Sequence, residues 1–252
     1  MPHSFPPIQP GGSLMVAWQV RDKKVLVVGG GEVAAGRILH ALNADAKVTV
    51  VCPSACLNPE VKFRISQNQV TYRDRKFEPV DLEEDVAMVF VAIDDPEAST
   101  QIWKLCKERR IPANIADVPS ECDFYFGSVH RDGPLQVMVS TNGNGPKLAS
   151  IVRKEIASAL PGNTGAAIQN VGVLRKKLRE LAPEAKDGPK RMKWISRICE
   201  TWSLEELVEM DESDMDSLLA FYAQNTVPTF EQVRLKEEDN IATFDGSMGW
   251  SC

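Results

Sequence analysis

Three consecutive glycines, Gly29-Gly30-Gly31, are followed by Glu32-Val33-Ala34. They come directly after a short β-branched run, KKVLVV at 23–28, and open a stretch with helical spacing. Glycines in that position permit a tight turn and let backbone amides approach a pyrophosphate, whose charge suits the helix N-terminus. The chemistry implied is the holding of a dinucleotide. Read as G-x-G-x-x-G the pattern is weak, and its third position is Ala34. The strand-turn-helix context gives it meaning, although a ligand-free glycine turn would have the same letters.

Two further places bear on the same chemistry. A second β-branched run, KVTVVC at 47–52, ends in Val51-Cys52-Pro53-Ser54. Dinucleotide folds commonly present an acid there to the adenosine ribose. Here neither an acid nor an arginine for a 2′-phosphate is present, so backbone groups and Ser54 take over, and the choice between NAD and NADP stays open. The other place is Asn114-Ile115-Ala116-Asp117, at the carboxyl end of a run expected to be a central strand. Ligands of open α/β sheets bind outside the carboxyl ends of the strands, so Asp117 is placed to act as a base. An aspartate, with an ordinary pKa of about 3.9, is ionised at neutral pH and needs only position; a turn or capping aspartate is the alternative reading. Among the cations of the later helices most read as solvated helix faces. Lys147, beside the turn at Gly143 and Gly145, is the better candidate for a substrate carboxylate.

The elements that must position these residues alternate. Strand-like runs at 23–28, 47–52, 70–77, 86–93 and 112–117 are interleaved with helical stretches. One runs from Glu32 to Asn43, with Val33, Ile38, Leu39 and Leu42 on one side. Another opens at Pro96 behind the capping candidates Asp94 and Asp95 and runs to about Arg110. Alternation of this kind builds a parallel sheet covered on both faces, and strands that are apolar throughout agree with it. The pattern changes after Asp117. An aromatic cluster, Phe124-Tyr125-Phe126, and the turn Arg131-Asp132-Gly133-Pro134 lead into PLQVMVST at 134–141, which alternates like a half-exposed strand. Pro146 then opens a helix whose buried face is expected to carry Leu148, Ile151, Val152 and Ile156. Residues 164–235 read as helix, with a capping box at Ser203-Leu204-Glu205-Glu206. The fold class expected is α/β: a Rossmann-type parallel-sheet domain at 14–120, a small α+β dimerisation segment at 121–162 and a C-terminal helical domain at 163–235. A disordered arm at 1–13 and a loose tail at 236–252 flank them.

The formal charge of −6 argues against nucleic-acid binding, which needs a basic excess. The six cysteines include no C-x-x-C pair and the three histidines lie far apart, so reduced thiols and no metal site are expected. No apolar run is long enough to span a membrane and no signal peptide is visible, so a cytoplasmic protein is expected.

With these residues placed, a likeness emerges. WQVRDKKVLVVGGGEVAAGR, ANIADVPSECDFYFGS and LQVMVSTNGNGPKLASIVRKEI resemble, in order and with matched spacing, the fungal bifunctional precorrin-2 dehydrogenase/sirohydrochlorin ferrochelatase family. They are also similar to the N-terminal half of bacterial sirohaem synthase, and the likeness runs from about Leu14 to Val233. The resemblance implies a homodimer that oxidises precorrin-2 to sirohydrochlorin with NAD and then inserts Fe²⁺ to give sirohaem. It places cofactor contacts on Gly29, Gly31, Glu32 and Val33, on Cys52, Pro53 and Ser54, and on Phe77. It places the essential aspartate on Asp117, with Asn114 and Lys147 as substrate-binding candidates. Ala34 stands where the fungal pattern has glycine, a mild departure because alanine still permits close helix packing. Nothing matches a metal-binding histidine; the macrocycle's own nitrogens can ligate the iron. A dehydrogenase without chelatase activity, and a non-catalytic NAD-binding sensor, stay open as alternatives.

Overall fold

The structure, a computed structural model, describes residues 5–6, 8–83 and 85–235. The chain divides into two compact units. The first runs to Phe126 and takes in Asn142–Asn144; the second consists of Gly127–Thr141 and the described residues from Gly145 onward.

The first unit is built on a five-stranded parallel sheet of β1 (Lys24–Val28), β2 (Lys47–Val51), β3 (Thr71–Arg73), β4 (Val86–Val91) and β5 (Ala113–Ile115), in the order β3-β2-β1-β4-β5. Strand side chains alternate between faces, and β1 shows the consequence. Val25 and Val27 enter a core with Ile38, Val48, Val50 and Phe90, while Leu26 and Val28 enter the opposite core with Val89, Val91, Ile102 and Ile115. Both faces are covered, as an apolar parallel strand requires. The helices are α1 (Glu32–Leu42), α2 (Pro59–Ser66) and α3 (Pro96–Glu108). α1 packs through Ala34, Ala35, Ile38 and Ala41. Val33 and Leu39, expected on its buried side, are exposed, because alanines let the helix lie close to the sheet along a different stripe. α2 went unrecognised in the sequence although Asn58 caps it, accepting from the Glu60 amide at 2.7 Å. α3 is capped by Asp95, which accepts from the Ala98 amide at 3.0 Å, rather than by Asp94.

Two expectations about strands need correction. The run at 70–77 gives only Thr71–Arg73, because the residues beyond it turn to polar partners: Asp74 accepts from the Ser54 amide at 2.7 Å, and Arg75 donates to Asp81 at 2.7 and 2.8 Å. β5 is an edge strand, not a central one. Its outer side is closed by the following loop. Asp123 exchanges two 2.9 Å hydrogen bonds with the backbone of Ala113 and pairs with Lys107, while the Cys122 sulfur meets the amide and carbonyl of Ile115. An exposed edge would otherwise invite pairing with another chain.

In the second unit β6 (Ser128–Asp132) and β7 (Leu135–Val139) form an antiparallel hairpin, followed by α4 (Pro146–Ala159), α5 (Thr164–Leu181), α6 (Gly188–Thr201), α7 (Leu204–Glu209) and α8 (Glu212–Ala220). The polar sequence SVHRD hid β6. The helices enclose a core around Leu174, Leu178, Trp194, Ile198 and Leu218. Asp132 joins hairpin to helix by accepting from the Gly165 amide at 2.7 Å. The capping box of α7 is present: Ser203 Oγ accepts from the Glu206 amide, and Glu206 accepts from the Ser203 amide. α4 departs from expectation. Leu148, Ile151, Val152 and Ile156 are all exposed, and Ala149 is the buried residue of this helix. The apolar periodicity is real, but among the described residues nothing buries it.

The tail at 236–252 and residues 1–4 and 7 of the arm lie outside the described residues. Within the arm, Asn142 donates to Gly11 O at 3.0 Å and accepts from the Ser13 hydroxyl at 2.7 Å.

Candidate functional site

The glycine turn combines two kinds of constraint. Gly29 has φ +123°, and a Cβ there would lie 2.0 Å from Ala92 O. A Cβ on Gly30 would lie 2.6 Å from the Cys52 sulfur. Neither position has room for a side chain. Gly31 differs: it has φ −76°, and a Cβ there would meet nothing within 4 Å. It is also the N-cap of α1 and supplies no side-chain acceptor. The helix therefore presents its first-turn amides, at the positive end of its dipole, through an open surface. That arrangement fits a pyrophosphate. Glu32 and Val33 are exposed on the same first turn.

The bend after β2 is fastened to this turn. The Asn58 amide donates to Gly30 O at 2.7 Å. Cys52 is buried against Gly30, and burial, helped by Cys56 and Asp74, pushes its thiol up to about 11, so it is a packing group and not a thiolate. Tyr72 donates its hydroxyl to Cys52 O at 2.9 Å, and its phenol is raised to about 12, first by burial and then by Asp74. Pro53 is half-buried and Ser54 exposed. Phe77 packs against the sheet core that contains Val28 and Val51.

Asp117 lies on the other side of β4. It is exposed, in the left-handed region at φ +60°. Several turn aspartates and asparagines share that conformation here, so strain alone does not single it out. Its surroundings do. The Ala116 amide donates to Val91 O at 2.9 Å, next to the Ala92 carbonyl that abuts Gly29. The carboxyl end of β4 thus lies between the glycine turn and Asp117. Arg37 of α1 reaches the same end, donating to Val91 O at 2.7 Å with its guanidinium 5.6 Å from the Phe126 ring centroid. Burial lowers its pKa, and the nearby Cys122 and Asp117 oppose that shift. Sequence reasoning missed Arg37; the available signal was a cation two turns into the helix that follows the glycines. Asn114 is buried, donates Nδ2–H to Phe124 O at 2.7 Å, and has no partner for Oδ1 among the described residues. It anchors the aromatic segment.

Lys147 belongs to the second unit, exposed in the first turn of α4. Several cations of the later helices have structural work. Lys177 pairs with Asp216 at 2.8 Å, Arg153 donates to the Ser128 hydroxyl at 3.1 Å, and Arg191 donates to the carbonyls of Ala182 and Glu184. Arg175, Arg179 and Arg191 line a cavity of about 250 Å³ beside α5 and α6. Among the described residues no cluster of three or more His, Cys, Asp or Glu is arranged to hold a metal, no helix is long and apolar enough to cross a membrane, and the five described cysteines are unbridged.

Family models agree with this geometry region by region. A putative NAD(P)-binding family matches residues 16–128, the central sirohaem biosynthesis protein family 132–159, and its C-terminal family 161–228. The siroheme biosynthesis protein met8 of Schizosaccharomyces pombe is 55% identical over 92% of this chain and 88% of its own. Its namesake in Saccharomyces cerevisiae is 32% identical over 79% of this chain and 86% of its own. A siroheme synthase of Thioalkalivibrio sulfidiphilus is 36% identical over 67% of this chain but only 34% of its own. Among solved structures, SirC, a precorrin-2 dehydrogenase, shares the fold with a TM-score of 0.59 at 21% identity, covering 88% of this chain and all of that one. The chain belongs to the siroheme biosynthesis protein family of fungi.

Proposed function

We propose that this protein oxidises precorrin-2 to sirohydrochlorin with NAD and then inserts Fe²⁺ to give sirohaem. The observation that carries the reading is the carboxyl end of β4, flanked by the open helix N-terminus at Gly31 and by Asp117. In this reading Gly29, Gly31, Glu32 and Val33 hold the pyrophosphate side of the cofactor, with Cys52, Pro53, Ser54 and Phe77 bounding the adenosine side. NAD, when bound, supplies the acceptor for the hydride. Aromatising the macrocycle also removes a proton, and Asp117 takes it as general base. Arg37 steadies the end of β4 by donating to Val91 O. In chelation the macrocycle's nitrogens take the metal substrate and lose two protons, which the same exposed carboxylate accepts one at a time, releasing each to solvent. Asn114, which holds the aromatic segment through Phe124 O, and Lys147 are the residues we assign to the substrate, Lys147 to one of its carboxylates.

The protein is further proposed to act in the cytoplasm as a homodimer. Its 134–160 segment carries Met138, Leu148, Ile151, Val152 and Ile156 outward, and a second copy would cover them. Two assays with the purified protein test the activities. Precorrin-2 with NAD should give the absorbance of sirohydrochlorin, and sirohydrochlorin with Fe²⁺ should give sirohaem without NAD. Success of the first alone would reduce the protein to a dehydrogenase. NAD binding with no turnover of precorrin-2 would make it a sensor.

A further inference from the structure

The bend after β2 has no acid of its own for the adenosine ribose, yet a carboxylate stands there. β3 pairs in parallel with β2, Val51 opposite Arg73, and the Cys52 amide continues the ladder onto Arg73 O at 3.3 Å. The next residue, Asp74, is thereby level with the bend, and its Oδ1 accepts the Ser54 amide at 2.7 Å. The side chain is exposed at the carboxyl end of the sheet, the side on which such folds bind dinucleotides.

The neighbouring charges are sorted. In Arg73-Asp74-Arg75 the two arginines turn to Asp81, Arg73 at 2.5 Å and Arg75 at 2.7 Å, where that buried carboxylate also accepts the Glu78 amide. Among the described residues no lysine or arginine pairs with Asp74. The two arginines that flank Asp74 are thus committed to Asp81, Lys76 is exposed two residues further on, and the group that meets the bend itself is an anion. A carboxylate can accept a hydrogen bond from a ribose 2′-hydroxyl, whereas it repels a 2′-phosphate.

We propose that Asp74, supplied by β3, replaces the missing acid of β2, reading the adenosine ribose and setting the preference for NAD over NADP. This rests on the glycine turn being the NAD site. The experiment compares wild type with Asp74→Asn and Asp74→Ser, measuring binding of NAD and of NADP by calorimetry and kcat/KM for each in precorrin-2 oxidation. Asn keeps an acceptor for the Ser54 amide but carries no charge. The NAD-to-NADP preference should fall roughly 10- to 100-fold in both variants, with tighter NADP binding as part of the change. A preference that stays constant, including an equal loss for both coenzymes, would mean that Asp74 only supports the bend and would overturn the proposal. A Gly31→Asp control separates the two levels. If it retains wild-type NAD affinity, the site itself is misassigned and both readings fall. If it loses NAD while Asp74→Asn keeps the preference, only the role of Asp74 is refuted. Thermal melting of each variant confirms that a folded protein is being compared.

Discussion

Gly29 and Gly31 stand two residues apart in one motif and should fail for opposite reasons. Alanine at position 29 must adopt φ near +123°, at a cost of about 1–3 kcal/mol for a residue with a Cβ. That Cβ would also lie 2.0 Å from Ala92 O, so the end of β4 must move by about an ångström. Moving it strains the 2.8 Å bond from the Ala92 amide to Val28 O, worth about 1 kcal/mol. The sum, about 2–4 kcal/mol, corresponds to a fall in Tm of roughly 5–15 °C for a chain of this size. Position 31 has an ordinary φ of −76° and nothing within 4 Å of a Cβ. Aspartate is moreover a good N-cap where glycine now supplies no side chain, so Gly31→Asp should melt at or above the wild-type temperature. Its carboxylate would instead face the pyrophosphate. Two like charges about 4 Å apart repel by about 1 kcal/mol in water and about 4 kcal/mol near a protein surface, which is roughly 5- to 1000-fold in Kd. Differential scanning calorimetry and titration with NAD separate the effects. Wild-type NAD affinity in Gly31→Asp, or an unchanged Tm in Gly29→Ala, would refute this division of labour.

Asp81 is fully buried with two arginines. Burial raises its pKa, but hydrogen bonds from Arg75, the Glu78 amide and Arg73 outweigh that and hold it below the usual 3.8. Its contribution to stability is therefore present above about pH 4 and is lost as pH falls through the depressed folded value. Asp81→Asn should cost about 3 kcal/mol at neutral pH and flatten the acid limb of stability; an unchanged acid limb in urea titrations at pH 2–5 would contradict it. Cys52→Ser should retain turnover with no response to reductant, because the thiol is buried and protonated; a loss of turnover with NAD affinity intact would point to thiol chemistry. Light scattering at micromolar concentration should give twice the 27.9 kDa chain mass, and Ile151→Lys should shift the protein towards monomer. A wild-type monomer would refute the interface.

Much of the first unit was legible because β1 and β4 are apolar on both faces, which leaves little choice but a covered parallel sheet. The place of β5 was not legible. A three-residue strand says nothing about its neighbours, and its edge is closed by Asp123 and Cys122, residues whose letters carry no strand signal. The periodicity of α4 was readable, but one chain's sequence does not say whether an apolar face meets its own core or a second copy. α1 shows a related limit: large residues were expected inward, whereas close packing on the sheet selected alanines. At the site, the glycine turn and Asp117 were visible as letters in context. Arg37 and Asp74 were not, because their partners, Val91 O and the Ser54 amide, lie on or beside a neighbouring strand and not at a sequence spacing.

The central claim is that one carboxylate at the end of β5 accepts the protons of both reactions, and Asp117→Asn tests it most directly. The substitution keeps size and hydrogen bonding but removes the capacity to take a proton. With NAD binding at wild-type strength, single-turnover oxidation of precorrin-2 should slow by roughly 10²- to 10⁴-fold, and Fe²⁺ insertion into sirohydrochlorin should fall with it. Oxidation at near wild-type rate would show that Asp117 is not the base, and intact chelation beside lost oxidation would show that the two reactions use separate proton acceptors.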